Sequence, residues 1–279
     1  MEHPNYLTPE IVIEPSRGWV SLQMREVWNY RELLFFLIWR DVKVRYKQTS
    51  LGISWAFIQP VMTMVIFSVI FGQLAKLPSE GIPYPIFIFA ALLPWQLFSG
   101  ALTRSCSSLV GNATLLTKVY FPRLIIPISA TISGLADFSI SFVVLLGLML
   151  YYRIWPTWAI LWVPLLAIFV LVTALSVGLW LSALNVRYRD VQHIIPFIIQ
   201  AWMYASPVAY SAELIPSGPW QIIYRFNPLV GVIQGFRWAL LRTNSPDEWM
   251  MVSVGTVIVV LVTGLYFFRR MEKIFGDVV

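Results

Sequence analysis

The strongest constraint on this chain is a set of six apolar runs, each long enough to cross a bilayer, separated by gaps that hold most of its cations. Hydrocarbon about 30 Å thick needs about 20 helical residues at a rise of about 1.5 Å each. The runs 54–75, 84–104, 124–150, 158–184, 194–212 and 249–268 meet that length. Composition agrees. Of the 279 residues, 58% are apolar and 12% charged, where soluble domains carry about 25% charged residues. Pro94 and Pro164 interrupt two runs and read as kinks, which transmembrane helices tolerate. The sequence therefore predicts an all-α integral membrane protein.

Orientation follows from lysine and arginine in the gaps. With the N-terminus inside, the cytoplasmic pieces 1–53, 105–123, 185–193 and 269–279, plus Arg104 at a membrane edge, hold 15 of the 20 basic residues. The outer pieces hold Lys76, Arg153, Arg225, Arg237 and Arg242. Both ends are expected in the cytoplasm. The net charge of +6 is spread over these gaps rather than gathered into a patch, so nucleic acid is not an expected partner. Residues 1–26 mix acidic and basic side chains with no apolar core, so no cleavable leader is expected there.

Two segments fall outside the spans. Residues 213–248 are too long for a turn. Phe226 to Leu241 within them is apolar but carries Pro228, Gly231, Gly235 and Arg237, which fits a re-entrant or interfacial helical hairpin between spans five and six. Residues 31–47 read as an amphipathic interface helix. Leu34, Phe35, Ile38, Trp39, Val42 and Tyr46 share its apolar face, and Arg40, Lys43 and Lys47 form the opposite stripe. Such a helix lies among lipid headgroups, with Arg31 and Arg45 snorkelling from the apolar side. The chain thus divides into a cytoplasmic segment 1–30, an interface segment 31–53, a membrane domain 54–268 and a tail 269–279.

Residues suited to catalysis are scarce. The histidines, His3 and His193, lie in the tail and at a span edge, Cys106 is the lone cysteine, and no Gly-Lys dipeptide occurs. The expectation is therefore no metal site, no phosphate-binding loop and no enzyme. Asp137 is an acidic residue near the middle of a span, where ionisable groups are costly and functional by default. Two readings stay open for it: a proton or substrate contact, or an inward carboxylate bonded to the hydroxyls of Thr131, Ser133, Ser139 and Ser141. It has no evident basic partner within a span. Aromatic residues are 15% of the chain. Most suit the interfacial belts. Deeper ones, Trp55, Phe57, Trp202 and Tyr204, are candidates to line a path, because aromatic rings stack on sugar faces.

Several stretches in order resemble the membrane subunit of ABC exporters of the O-antigen, capsular-polysaccharide and teichoic-acid group. They are Leu37-Ile38-Trp39-Arg40-Asp41-Val42-Lys43-Val44-Arg45-Tyr46-Lys47-Gln48-Thr49-Ser50-Leu51-Gly52 running into Trp55 and Gln59-Pro60; Leu93-Pro94-Trp95 with Phe98; Asn112, Leu115, Lys118-Val119 and Phe121-Pro122-Arg123; Asn185-Val186-Arg187-Tyr188-Arg189-Asp190-Val191; Ser206-Pro207-Val208 with Tyr210; and Asn227-Pro228. Together they cover about residues 28–270.

The resemblance implies six spans, an interface helix and two short periplasmic helices in 213–248 acting as a gate hairpin. It implies that a separate ATPase chain binds ATP and magnesium, and that 105–123 docks on that ATPase through Leu109, Asn112, Leu115, Leu116, Lys118, Val119 and Tyr120. Two copies of each chain would form a two-plus-two complex in a bacterial inner membrane, passing a lipid-linked polysaccharide. On this view Arg40, Lys43, Arg45 and Lys47 meet either lipid headgroups or the ATPase. Rival readings are an ABC exporter of another cargo, a membrane-embedded enzyme, or a proton-coupled transporter using Asp137.

Overall fold

The computed structural model describes residues 24–47, 53–215, 218–245 and 249–272. The assignments made above to 1–23, Gln48–Gly52, 216–217, 246–248 and 273–279 lie outside the described residues. Twelve α-helices occur among the described residues, and no strand. They are α1 (Met24–Asn29), α2 (Arg31–Lys47), α3 (Ile53–Phe67), α4 (Tyr84–Gly111), α5 (Ala113–Lys118), α6 (Ile125–Ile132), α7 (Leu135–Tyr151), α8 (Val163–Arg187), α9 (Val191–Tyr204), α10 (Pro219–Arg225), α11 (Pro228–Leu241) and α12 (Trp249–Glu272).

Among the described residues, five helical stretches are long and apolar enough to cross a membrane: Ser54–Leu74, Tyr84–Gly111, Ile125–Tyr151, Trp158–Arg187 and Met250–Glu272. The first extends α3 through a π-helical stretch, Ser68–Leu74. The third joins α6 and α7 across turns at Ser133 and Gly134. In the run 194–212, read from the sequence as a span, the α-helix is α9, which starts earlier, at Val191, and ends at Tyr204 after 14 residues, about 21 Å. Pro207 explains the stop, because the residue before a proline is pushed out of helical geometry. Pro164 corrects another expectation. It lies in the first turn of α8, where its missing N–H costs nothing, and so makes no kink.

Helix α4 is the centre of the bundle. In its most apolar window 78% of residues are buried, against 11% in the span of α3. Ile86 to Leu93 are buried all round the helix, as are Phe98, Ala101 and Leu102 further along it. Helix α8 packs on it closely because Gly178 gives room to Ser105 of α4. Helix α12 reaches α8 through Gly264, where an added Cβ would stand 2.8 Å from the Ser176 carbonyl and 3.0 Å from the Trp180 ring. Small residues at such crossings let backbones approach, and dispersion then holds the helices.

The non-helical backbone between α9 and α10 is satisfied by side chains at one end of α4. Arg237, 2% exposed, donates to the carbonyls of Tyr210 and Val208, both at 3.2 Å, with its guanidinium 3.6 Å over the Phe87 ring. The Tyr84 hydroxyl donates to the Ala209 carbonyl at 2.5 Å. Asn227 caps α11 by accepting from the Leu229 N–H, donates to Ala205 O at 3.1 Å and Ser206 Oγ at 2.9 Å, and accepts from Trp202 Nε1 at 3.0 Å. Buried irregular backbone persists where protein groups pair it in this way. Helix α11 itself is buried almost throughout.

The glycine crossing yields a test. Gly264→Leu should destabilise the protein by about 2 kcal/mol through overpacking, read as a fall in Tm in detergent. Gly255→Leu on the same helix, where an added Cβ meets nothing within 4 Å, should leave Tm close to the original.

Candidate functional site

At the end of α4 opposite Arg237, three elements bring charge together. Asp137 lies in the first turn of α7, where the helix dipole favours a carboxylate. Its Oδ2 accepts from Arg45 of α2 and its Oδ1 from Tyr46. Arg45 also donates to Ser133 Oγ at 3.2 Å. Arg104 of α4 holds its Nη1 3.6 Å from the same carboxylate and donates from Nε to the Ala130 carbonyl at 3.3 Å. Burial first, then the hydrogen bond and charge of Asp137, push the Tyr46 phenol up to about 12. It therefore stays neutral and donates.

This geometry corrects the reading of Asp137 as lacking a basic partner, since two arginines face it. It also replaces the expected hydroxyl partners. Thr131, Ser133 and Ser139 give their protons to carbonyls one turn back in their own helices, and the hydroxyl that binds Asp137 is that of Tyr46. Arg45 does not snorkel; it turns inward. Arg104 and Tyr46 were missed as site residues because the charge pairing is spread over 92 residues of sequence. The glycines offered a signal: an added Cβ on Gly134 would collide with the Arg104 guanidinium, and one on Gly100 would stand 3.0 Å from it. Both leave space for that one side chain.

The charged groups line a cavity of about 540 Å³, whose walls also include Trp55, Gln59 and Gln96. A volume of this size suits a small ligand or headgroup. Trp55 is the one member of the aromatic set in this cavity. Phe57 and Tyr204 are exposed elsewhere. Trp202 packs edge-on to Phe98 at 5.0 Å and lines a second, apolar cavity of about 810 Å³ with Tyr210, Tyr224 and Phe226. The structure thus divides the four rings between separate surroundings.

Helix α2 sorts its residues differently from a two-faced amphipathic helix. Leu37 is buried among Leu109, Leu124, Ile125 and Phe268. Phe35, Phe36, Trp39 and Val44 are exposed, and so are Lys43 and Lys47. Arg40 is committed within the chain: its Nη2 donates to Asp41 Oδ1 and to Asn112 Oδ1, both at 2.8 Å. Asn112 in turn donates to the Ser108 carbonyl at 2.8 Å. Arg40 therefore ties α2 to the corner between α4 and α5.

In 105–123, helix α4 continues to Gly111 before α5 begins. Leu109 is fully buried in the core. Leu115 and Leu116 are half-buried. Exposed within 105–123 are Ser107, Val110 and Gly111 on α4 and Thr114, Thr117, Lys118, Val119 and Tyr120 on α5 and after it; of these only Lys118, Val119 and Tyr120 were among the expected residues.

A family model described as ABC-2 type transporter matches residues 32–241. The O-antigen export system permease protein RfbA of Myxococcus xanthus is 32% identical over 240 residues, covering 85% of this chain and 91% of that protein. The O-antigen export system permease protein RfbA of Klebsiella pneumoniae is 29% identical over 262 residues, covering 93% and 100%. The polysialic acid transport protein KpsM of Escherichia coli is 25% identical over 252 residues, covering 85% and 92%.

A double-mutant cycle tests the ion pair. Arg45 and Asp137 side chains are 27% and 35% exposed. Arg45→Gln with Asp137→Asn should show a coupling of about 1 kcal/mol, between the values for exposed and buried pairs, in thermal unfolding of the full chain.

Proposed function

This chain belongs to the ABC-2 type transporter family, and on that premise we propose that it is the membrane subunit of an ABC exporter for a lipid-linked polysaccharide. The observation that carries the reading is the near full-length similarity to permeases named for O-antigen export and polysialic acid transport. A separate nucleotide-binding subunit supplies the ATPase, holding ATP and magnesium. The exposed surface of α5 and the turn after it, Thr114 to Tyr120, meets that subunit. Movement there reaches α2 through the Arg40–Asn112 bond, and α2 carries it to Arg45 and the Asp137 cavity.

On this reading α9 and the side-chain-satisfied turn after it complete a sixth crossing, and both ends of the chain lie in the cytoplasm. The bare apolar faces of α3 and α9 support a homodimer. In α9 the one buried residue is Ile195, and Trp55, Phe57, Ile66, Phe197 and Tyr204 stand exposed across the two helices. Two copies set face to face would cover them and enclose a path between them. Lys43 and Lys47, free of the internal contacts that hold Arg40 and Arg45, remain for anionic lipid.

Co-expression with the ATPase encoded nearest to this chain, followed by native mass measurement and an ATPase assay, tests the proposal. A two-plus-two complex with ATP turnover is expected. Lys118→Glu together with Tyr120→Ala should weaken its assembly by about tenfold, the loss of one or two interface anchors. A chain that purifies alone, with no ATPase recruited, would overturn it.

A further inference from the structure

The apolar cavity of about 810 Å³ has walls from α8, α9, α10 and α12. Its polar groups are nearly all spent. Thr173, Ser176 and Thr256 give their protons to carbonyls of their own helices at 2.7 to 2.9 Å. The Trp202 ring N–H and the Asn227 amide are paired with each other and with Ala205 and Ser206. The Tyr210 hydroxyl donates to the Tyr204 carbonyl at 3.1 Å. Among the described lining residues one polar side-chain atom is left over: Tyr224 Oη, buried with no hydrogen-bond partner, although the Tyr210 hydroxyl lies nearby. A buried phenol normally finds an acceptor. No charged side chain is among the described lining residues. These walls suit a molecule with a long apolar body and one uncharged acceptor.

The position of the cavity says where such a molecule comes from. Two of its walls belong to stretches long and apolar enough to cross a membrane, Trp158–Arg187 and Met250–Glu272. Val260, in the wall, lies about 16 Å along α12 from its start at Trp249, so the cavity reaches deep along that span. Ile198 and Phe226, also in the wall, are exposed, so it opens to the surface. We propose that this cavity binds one acyl chain of a membrane phospholipid, with the ester carbonyl of that chain accepting the Tyr224 proton. The chain stands in for side chains that α9 lacks. Ala201 and Ala205 present small groups to the cavity, and Ile195 is the one buried residue of α9. Lipid hydrocarbon is as apolar as leucine, and in contact with these walls it gains the dispersion that a packed core would give. The lipid is thus a packing element between α9 and the pair α8 and α12. The inference depends neither on the cargo nor on the ATPase.

Native mass spectrometry of the full chain, released from nanodiscs, tests this with two probes: dioleoyl phosphatidylcholine and its diether analogue, which lacks the carbonyl. The unmodified chain should retain the ester lipid about fivefold better, the worth of one hydrogen bond. Tyr224→Phe should abolish that difference by weakening the ester lipid alone. Ala201→Phe fills the cavity and should expel both lipids while Tm stays level or rises, which separates loss of the site from loss of the fold. A phosphatidylcholine with a diazirine in its acyl chain should label Val177 and Trp202 of the unmodified chain. Ala201→Phe should stop that labelling and leave labelling of Val259 and Val262, exposed on α12, unchanged. Equal retention of ester and ether lipids by the unmodified chain would overturn the proposal. So would labelling confined to Val259 and Val262, the pattern expected if the cavity is filled by a second copy of this chain or meets bulk lipid only at its rim.

Discussion

A carboxylate among apolar helices demands cations, and at Asp137 they arrive from two other elements. Arg45 comes from α2, which lies outside the spans, and Arg104 from the central helix α4. Uncompensated, such a group costs several kcal/mol, so this match constrains much of the structure around it. It sets which way α2 faces, because Arg45 and Tyr46 must turn inward together. It accounts for the break between α6 and α7, where Gly134 leaves room for the Arg104 guanidinium, as Gly100 does within α4. It places Asp137 at a helix N-terminus rather than within a continuous helix.

The same rule acts at the other end of α4 with the signs reversed. There a buried cation, Arg237, is matched by carbonyl oxygens and an aromatic face rather than by a contacting carboxylate. Those carbonyls belong to the stretch after α9 that Pro207 prevents from being helical. A proline-broken backbone and a buried arginine are each unfavourable in hydrocarbon. Placed against one another they satisfy each other, with Tyr84 and Asn227 taking two of the remaining carbonyls.

The division between what the sequence revealed and what it hid follows from the range of the interactions. Apolar runs and basic gaps are local, so the class, four of the five long spans to within a few residues and the helix over 31–47 were legible. The length of α9 was partly legible, since Pro207 stands in the sequence; averaging over a 19-residue run hid it. The identity of Asn227-Pro228 as a helix start was readable from capping chemistry, though its bonds to Trp202 and Ala205 were not. Arg237 looked like an outer-loop cation because charge counting takes no account of burial. Arg104 was assigned to a membrane edge for topology, and its pairing with Asp137 needed α4, α6 and α7 to be brought together in space. The four deep aromatics were grouped by residue type and expected depth, and neither specifies which face of a helix they occupy.

Helix α2 links these observations into a mechanical argument. Arg40 and Arg45 are five residues apart on it. The first holds the α4–α5 corner through Asn112, and the second holds the carboxylate. Five residues of helix span about 7.5 Å, a distance over which a helix moves as a rigid body. Any displacement imposed at the α5 surface is therefore imposed at the Asp137 cavity too. The cavity has one yielding wall, because α3, which contributes Trp55 and Gln59 to it, is among the least packed of the long helices. A push at the α4–α5 corner thus has a rigid lever to travel along and a loosely held helix to move, with the charged cluster between them.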